Sequence, residues 1–371
     1  MRKPSRLIET PSVLCNDRSW SGISRLLFSG CCSIATLVMT FIGFSQFDLP
    51  VTRYVRSVTT YHPWEQLTIP WMAFTSNAGD WIGEGTHLVV FSLVLMAVGW
   101  LWSKEPIRKA GIETLLAHGL AALIVNGLKH LIGRPRPKFT HSGDWLLAPS
   151  MTSGFDSFPS GHSSVSFAVA TVLAKRFPAI GPVVIGIACF VMLSRVLRGS
   201  HFPTDVIGGA VIGVVSGSIA SAPLQQWRTS IAKGLLHSAW GACAALALLW
   251  ALARPAEGGF AGAALIVVGL TVTAGGVWFR RGAWRGDSAG RTSTGALYGI
   301  VCGLATMTTS FYVMTVVGLT CVAHWACEGA GAGPAKMVGA FPRSVRESLL
   351  LVGVLTATLL LVSARGVLPF R

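Results

Sequence analysis

The chain is organised around three short polar segments: KHLIGRPRP at residues 129–137, PSGH at 159–162 and SRVLRGSHFPTD at 194–205. Each segment lies where an apolar run of helical length begins or ends. Glycine and proline residues occur in all three and predict helix boundaries there. The segments supply cations, histidines, serines and an aspartate, which are the groups that bind an anionic phosphate and move its protons. We therefore expect a phosphate site at the ends of these helices.

The composition predicts an all-α, polytopic membrane protein. Of the 371 residues, 51% are hydrophobic and only 12% are charged, whereas charged residues make up about 25% of a typical soluble domain. A helix needs about 20 apolar residues to cross a bilayer. Runs of this kind follow one another along most of the chain and leave little sequence for a separate soluble domain.

The net charge of +15 raises the alternative of a nucleic-acid-binding protein. However, the cations are grouped in short links between apolar runs, such as Arg2 with Lys3 and Lys175 with Arg176. This grouping is typical of the positive-inside rule, by which basic links stay on the cytoplasmic side. No nucleic-acid partner is therefore expected.

The apolar runs predict a six-helix core followed by further membrane helices. The core spans are expected at about residues 26–47, 86–102, 110–131, 162–174, 181–197 and 204–222. The later runs lie at about 233–253, 259–279, 294–323 and 347–364. The run 294–323 is long for one span, so it either tilts steeply or breaks in two. Taken as one span, it gives about ten spans with both termini inside.

Three regions follow from this division: a cytoplasmic N-terminal segment at 1–25, a membrane core at 26–222 and a transmembrane extension of unknown role at 223–371. The first span is predicted to end at Asp48-Leu49-Pro50. Residues 51–85 are expected to form an interfacial amphipathic helix and a loop on the outer side. Counting spans from a cytoplasmic N-terminus places all three polar segments on the outer face.

The PSGH segment predicts an anion site at a helix start. Proline, a serine N-cap (Ser160) and a glycine (Gly161) that allows close approach precede His162. The first N–H groups of a helix have no intrahelical acceptor, so they attract anions. A capped membrane helix with an interfacial histidine would carry the same residues, so this segment alone is weak evidence for a phosphate site.

The third segment pairs a histidine with a carboxylate. Pro203 suits the first turn of a helix, which places Asp205 near the positive end of the helix dipole. His201 precedes Asp205 by four residues, and such a pair fixes the histidine tautomer and raises the basicity of the other ring nitrogen. That histidine could act as a nucleophile toward phosphorus. A plain His–Asp capping bond would have the same spacing.

Lys129, Arg136 and Arg195 are the candidate phosphate-binding cations. Arginine offers a planar fork to phosphate oxygens and lysine offers a point charge. Each cation alone could instead extend toward lipid headgroups; their occurrence together with two histidines on one face favours a site. A second phosphate, an anionic headgroup or plain interfacial charge remain the alternatives for three neighbours: Arg134, Lys138 and Arg198.

The spacing Lys129-x6-Arg136-Pro137, then PSGH, then Ser194-Arg195-x5-His201-x3-Asp205 resembles the tripartite signature of the type 2 phosphatidic acid phosphatase (PAP2) superfamily. All signature positions are present, and the resemblance covers about residues 50–222. It implies that His201 is the nucleophile and forms a phosphohistidine, with Asp205 orienting it. It also implies that His162 protonates the leaving oxygen and then activates water.

The resemblance further implies a phosphate cradle without a metal cofactor. The implied phosphate-binding residues are Lys129, Arg136, Ser160, Gly161 and Arg195. No cofactor is expected, and apart from Asp205 the three segments contain no carboxylate that could bind Mg²⁺.

The sequence thus predicts an integral inner-membrane enzyme that hydrolyses a lipid phosphomonoester or pyrophosphate on the periplasmic or outer face. Candidate substrates are undecaprenyl pyrophosphate, phosphatidylglycerol phosphate, phosphatidic acid and lipid A phosphates. One alternative is a lipid phosphotransferase that uses the same site. Another is a transporter or scaffold with a vestigial site. The C-terminal helices could also support a homo-oligomer.

Overall fold

The computed structural model describes residues 17–58, 70–140, 149–253, 259–284 and 290–329. Within these ranges every long regular element is an α-helix. In chain order they are α1 Asp17–Val58, α2 Pro70–Gly83, α3 Gly85–Leu101, α4 Glu105–Ile132, α5 Gly161–Arg176, α6 Gly181–Leu197, α7 Pro203–Ala220, α8 Trp227–Ala253, α9 Phe260–Trp284, α10 Gly290–Met307 and α11 Phe311–Gly329.

Helix α1 does not end where the sequence predicted. It continues through Pro50 to Val58, so residues 51–58 belong to α1 and not to a separate interfacial helix. Proline removes one helical hydrogen bond, but tertiary contacts hold the extra turns. Thr52 and Val55 are buried, and Arg56 donates a hydrogen bond to the carbonyl oxygen of Thr140 at 3.0 Å.

Several of the described helices are long and apolar enough to span a membrane. Six of these helices are each long and apolar enough to cross a bilayer. A seventh span results if α2 and α3, which meet at a bend of 52°, are taken as one span. Gly133 ends α4 in the left-handed conformation, with a φ of 61°, as its position predicted. The chain is therefore an all-α, multi-pass membrane protein.

The long apolar run 294–323 is not one span. It forms the end of α10 and most of α11, which are separated by a turn at 308–310. Of the two alternatives that the sequence left open for this run, the break in two is therefore the one observed. The predicted span 347–364 and residues 1–16 lie outside the described residues.

Helix α5 is the centre of the core, and α7 packs against it through glycines. Residues 163–173 of α5 are all buried. Three α7 glycines, spaced by four residues, face α5 carbonyl groups: Gly209 faces Ser160, Gly213 faces Ser164 and Gly217 faces Ala168. A Cβ at any of these glycines would collide with the facing oxygen. This close approach brings the start of α7 beside the start of α5.

The helices on both sides of residue 222 share one apolar cluster. Phe44 and Phe47 of α1 and Ile207 of α7 pack with Ala242 and Leu246 of α8. Helix α8 therefore packs against α1 and against α7, which carries the end of the third polar segment.

Candidate active site

Backbone hydrogen bonds join the three polar segments at one end of the helix bundle. The N–H of Ser157 donates to the carbonyl oxygen of Arg134 at 3.0 Å, and the N–H of Ser160 donates to that of Asp205 at 3.0 Å. A Cβ on Gly161 would lie 4.0 Å from the Nζ atom of Lys129. The segments that the sequence placed on one face therefore meet in space.

His201 lies between α6 and α7, and its side chain is buried. Its Nδ1 atom is 2.8 Å from the carbonyl oxygen of Ser157. A carbonyl only accepts hydrogen bonds, so Nδ1 carries the proton and the neutral ring keeps its lone pair on Nε2. This is the form that a nucleophilic histidine requires.

Asp205 does not hold His201 in the predicted way. Its Oδ2 atom is 3.7 Å from His201 Nδ1, which is beyond hydrogen-bond distance. The same oxygen instead accepts hydrogen bonds from the N–H of Phe202 at 2.8 Å and the hydroxyl of Ser157 at 2.5 Å. Asp205 therefore caps α7 and fixes Ser157, whose carbonyl then orients the imidazole.

Arg134 helps to hold Asp205 in place and is not a ligand for a lipid headgroup. It is fully buried and donates to Asp205 Oδ1 at 2.6 Å and to Asp48 Oδ2 at 2.8 Å. Asp48 in turn accepts hydrogen bonds from the N–H of Thr204 at 3.0 Å and its hydroxyl at 2.6 Å. The network connects α1, the first segment and the start of α7.

The surroundings of His201 also favour its neutral form. Burial lowers the pKa of His201 below its ordinary value of 6.5, more than the negative charge of Asp205 raises it. The positive charges of Arg136 and Arg195 act in the same direction as burial. The ring is therefore neutral at pH 7 and able to donate its Nε2 lone pair.

His162 lies in the first turn of α5, where the sequence predicted it. Its Nε2 atom is 3.2 Å from the Oδ1 atom of Asp80, and its side chain is partly exposed. Arg195 connects the two histidines: it pairs with Asp80 and also contacts the hydroxyl of Ser200, next to His201, at 3.4 Å. Both imidazoles thus border the same group of charges.

Lys129 and Arg136 of the first segment converge on Asp156. Arg136 forms a two-pronged pair with this carboxylate, with N–O distances of 2.7 and 2.6 Å. Lys129 Nζ is 3.5 Å from its Oδ2 atom. Although burial alone would raise the pKa of Asp156, the hydrogen bonds and charges of Arg136 and Lys129 lower it to about 2. Asp156 is therefore ionised at any physiological pH.

Arg195 and Arg198 of the third segment converge on Asp80. Each arginine pairs with a different oxygen of this carboxylate. Arg195 is 4% exposed, and its Nε atom has no hydrogen-bond acceptor within the described part of the chain. A buried donor without an acceptor is costly, so this atom is a candidate contact for a bound oxyanion. Lys138, the other predicted neighbour, is exposed.

The expected role of Ser160 changes, because its side chain does not cap α5. Ser160 is fully buried, and its hydroxyl accepts a hydrogen bond from the hydroxyl of Ser163 at 3.1 Å. Its contribution is to place the start of α5 against Asp205 through the backbone. Gly161, by contrast, lies on the side of α5 that faces Lys129.

Sequence reasoning missed Asp80 and Asp156. Asp156 lies only three residues before Pro159, so its closeness to the second segment was a usable signal. Asp80 lies on α2, in a region that was interpreted as interfacial, and nothing in its spacing relates it to the three segments. Only the packing of α2 against α6 brings it to the site.

Comparison with known proteins identifies the family of this chain. A family model described as the PAP2 superfamily matches residues 110–228. A lipid A 1-phosphatase of Rhizobium johnstonii is 29% identical over 211 residues, which are 53% of this chain and 82% of the relative. Phosphatidylglycerophosphatase B of Bacillus subtilis is 31% identical over 157 residues, which are 39% of this chain and 72% of the relative.

Among solved structures, a transmembrane PAP2-type phosphatidylglycerolphosphate phosphatase from Bacillus subtilis is 25% identical. The match covers 54% of this chain and 94% of that chain, with a TM-score of 0.38. The family assignment rests on the sequence matches, which include the stretch that carries all three polar segments. The chain belongs to the PAP2 superfamily.

Proposed function

We propose that this protein is a membrane lipid phosphatase that hydrolyses a phosphomonoester or pyrophosphate through a phosphohistidine at His201. The observation that carries the proposal is the hydrogen bond from His201 Nδ1–H to the Ser157 carbonyl, at 2.8 Å. It leaves the Nε2 lone pair available beside a group of fixed cations. These are the two requirements for nucleophilic attack on an anionic phosphorus.

In the first step, Nε2 of His201 attacks the phosphorus atom and the bond from phosphorus to the leaving oxygen breaks. The negative charge of the bound phosphate favours protonation of His162. The protonated ring then donates its proton to that oxygen, so the dephosphorylated lipid leaves as a neutral alcohol or a lipid phosphate. The phosphoryl group remains on His201. Its negative oxygens face the side chains of Lys129, Arg136 and Arg195.

In the second step, water attacks the phosphohistidine. His162, now neutral, accepts a proton from that water while the N–P bond breaks and returns the electron pair to Nε2. Inorganic phosphate leaves, and His162 is again protonated. The two histidines are thus restored, and one water molecule is consumed for each phosphate released.

Fixed cations take the place that metal ions have in many other phosphoryl-transfer enzymes. Lysine and arginine side chains that already point at the phosphate need no reorganisation during the reaction. We therefore expect activity to persist in EDTA.

A lipid substrate is favoured by the position of the site at the end of apolar helices. Acyl chains can stay in the bilayer while the headgroup reaches the cations. Basic links such as Lys175-Arg176 lie at the opposite end of α5 from His162, which supports an outer or periplasmic site in the inner membrane. The relatives named above are a lipid A 1-phosphatase and a phosphatidylglycerophosphatase.

The test is phosphate release in detergent from four lipids: undecaprenyl pyrophosphate, phosphatidylglycerol phosphate, phosphatidic acid and lipid A. EDTA is present throughout, and His201→Ala is the matched inactive variant. We expect release from at least one lipid by the wild type and a loss of at least about 10³-fold in the variant, since the nucleophile is removed.

Phosphate release that requires a second, acceptor lipid would instead identify a phosphotransferase. No release from any lipid, together with an unaffected cellular function in His201→Ala, would identify a structural protein with a vestigial site.

A further inference from the structure

Two carboxylates occupy the group of cations in which the substrate phosphate would bind. Four cations line the site: Lys129 and Arg136 around Asp156, and Arg195 and Arg198 around Asp80. Four positive charges less two negative ones leave a net charge of two. The protein itself therefore neutralises half of the positive charge of these cations.

The contacts of Asp156 are those that a phosphate would make. A guanidinium fork binds the two oxygens of a carboxylate or two oxygens of a phosphate in the same way. Asp156 presents Oδ1 and Oδ2 to Arg136 at 2.7 and 2.6 Å, and Lys129 lies 3.5 Å from Oδ2. An incoming phosphate has to replace this carboxylate to reach the same two cations.

Asp80 has a matching position between the other two cations. One oxygen pairs with Arg195 and the other pairs with Arg198. The oxygen on Arg195 also lies 3.2 Å from Nε2 of His162, the atom that would transfer a proton to or from the substrate. Asp80 therefore lies where oxygens of the substrate would bind.

The fold holds both carboxylates at the site. Helix α2 packs closely on α6, because Gly79 faces the side chain of Ser194 and Gly83 faces that of Val191. The segment before Asp156 is joined to the first polar segment by a hydrogen bond from Arg136 N–H to the Gly154 carbonyl at 2.8 Å. Both carboxylates remain partly exposed, with side-chain exposures of 31% for Asp156 and 37% for Asp80. They can therefore turn toward water when an anion enters.

We infer that Asp80 and Asp156 are specificity-determining residues: they take the places of phosphate oxygens beside the four cations, and any substrate must displace them. This inference rests on the proposed function. The free energy needed to displace a carboxylate from its cations is the same for every incoming anion. A dianionic phosphomonoester or a pyrophosphate overcomes this cost, whereas the singly charged phosphodiesters of the surrounding bilayer do not.

The experiment measures how tightly the site binds orthophosphate, by competitive inhibition of turnover and by calorimetry on the purified full chain. The variants are Asp156→Asn and Asp80→Asn, which preserve shape and remove charge. We expect the dissociation constant of orthophosphate to fall about tenfold in Asp156→Asn, because the competing charge is gone. A short-chain phosphatidylglycerol, which is a phosphodiester, should become a measurable inhibitor.

The matched control is Glu113→Gln. Glu113 forms the same kind of two-pronged pair, with Arg176 on α5, but Arg176 lies at the opposite end of this helix from His162. Orthophosphate binding should be unchanged in this variant. If Asp156→Asn does not fold, Asp156→Ala provides the same measurement.

The direction in which the affinity for orthophosphate changes tests the inference. If the carboxylates only position the arginines, both Asn variants will bind orthophosphate more weakly, and the inference is overturned; unchanged binding overturns it as well. Failure of the proposed function would look different, because the wild type would then release no phosphate from any lipid while calorimetry still reports anion affinity.

Discussion

Arg134 connects two carboxylates that belong to different helices. It pairs with Asp48 of α1 and Asp205 of α7, and its guanidinium lies 4.2 Å from the centre of the Phe202 ring. All three charged groups are buried. Because a buried charge is tolerated only when it is paired, each member depends on the others.

Replacing Arg134 should therefore lower the free energy of unfolding by more than the loss of an ordinary surface ion pair does. In Arg134→Met, Asp48 and Asp205 face each other without a cation, and we expect the free energy of unfolding to fall by about 3–5 kcal/mol. Reversible unfolding in mixed micelles measures this loss. The double variant Arg134→Met with Asp48→Asn should recover part of it. Wild-type stability in the single variant would show that the network does not stabilise the fold.

The tautomer of His201 can be observed directly. Burial disfavours the charged ring, so protonation should occur only below pH 6.5, and the nucleophilic form should be lost as the pH falls through the lowered pKa. Nitrogen-15 spectra of histidine-labelled protein should show a neutral ring with its proton on Nδ1 at pH 7. His201→Gln identifies the resonance. A proton on Nε2, or a titration midpoint above 6.5, would contradict the geometry.

At the level of elements, the glycine face of α7 determines whether the second and third polar segments meet. Gly213 faces the Ser164 carbonyl so closely that a Cβ has no room. The atoms that a Cβ at Gly213 would meet are backbone atoms of α5 and the Cβ of Phe167, not the flexible end of a side chain. A larger residue would therefore force α5 and α7 apart.

Gly213→Val should therefore reduce both the folded yield and phosphate release, by about tenfold or more, because backbone cannot move aside as a side chain can. Gly119→Val is the matched control, since nothing lies within 4 Å of a Cβ built at that glycine of α4. Size-exclusion chromatography and the phosphate assay provide the two readouts. Equal behaviour of the two variants would show that α7 does not need this close approach.

The sequence predicted most of the helices because their apolar runs are bounded by proline, glycine and charge. The span expected at 181–197 coincides with α6, and that at 86–102 differs from α3 by one residue at each end. The passage of α1 through Pro50 could not be predicted, because it depends on contacts with residues far along the chain. Asp80 was missed for the same reason.

At the level of the site, the residue types and their meeting place were predicted, but their hydrogen-bond partners were not. The spacing of His201 and Asp205 allowed a direct bond, yet the Ser157 carbonyl lies closer to Nδ1. Backbone acceptors are not visible in a sequence pattern, since every residue has one. The burial of Arg134 was likewise not predictable from its position beside Arg136.

For the molecule as a whole, α8 joins the helices before residue 222 through a shared apolar cluster. Leu246 of α8 is 1% exposed and lies in the cluster formed with Phe44, Phe47 and Ile207. We propose that residues 26–222 form the phosphatase core and that the extension at 223–371 begins with a helix that this core requires.

Leu246→Ala should lower the free energy of unfolding by about 2–5 kcal/mol, because it leaves a cavity between α1, α7 and α8. Leu123→Ala on α4, where the side chain is 73% exposed, is the control and should cost far less. The half-life of phosphatase activity on heating should shorten only in Leu246→Ala. Similar losses in both variants would mean that α8 does not support the core.

The proposed reaction passes through a covalent phosphoryl group on Nε2 of His201, and rapid quenching can trap this intermediate. A substrate lipid labelled with phosphorus-32 is mixed with the wild type, His162→Ala and His201→Ala, and the protein is isolated in alkali, in which phosphohistidine survives. We expect labelled protein from the wild type, more label from His162→Ala because the water-activating group is missing, and none from His201→Ala. Label on His201→Ala, or wild-type turnover without any labelled protein, would contradict the mechanism.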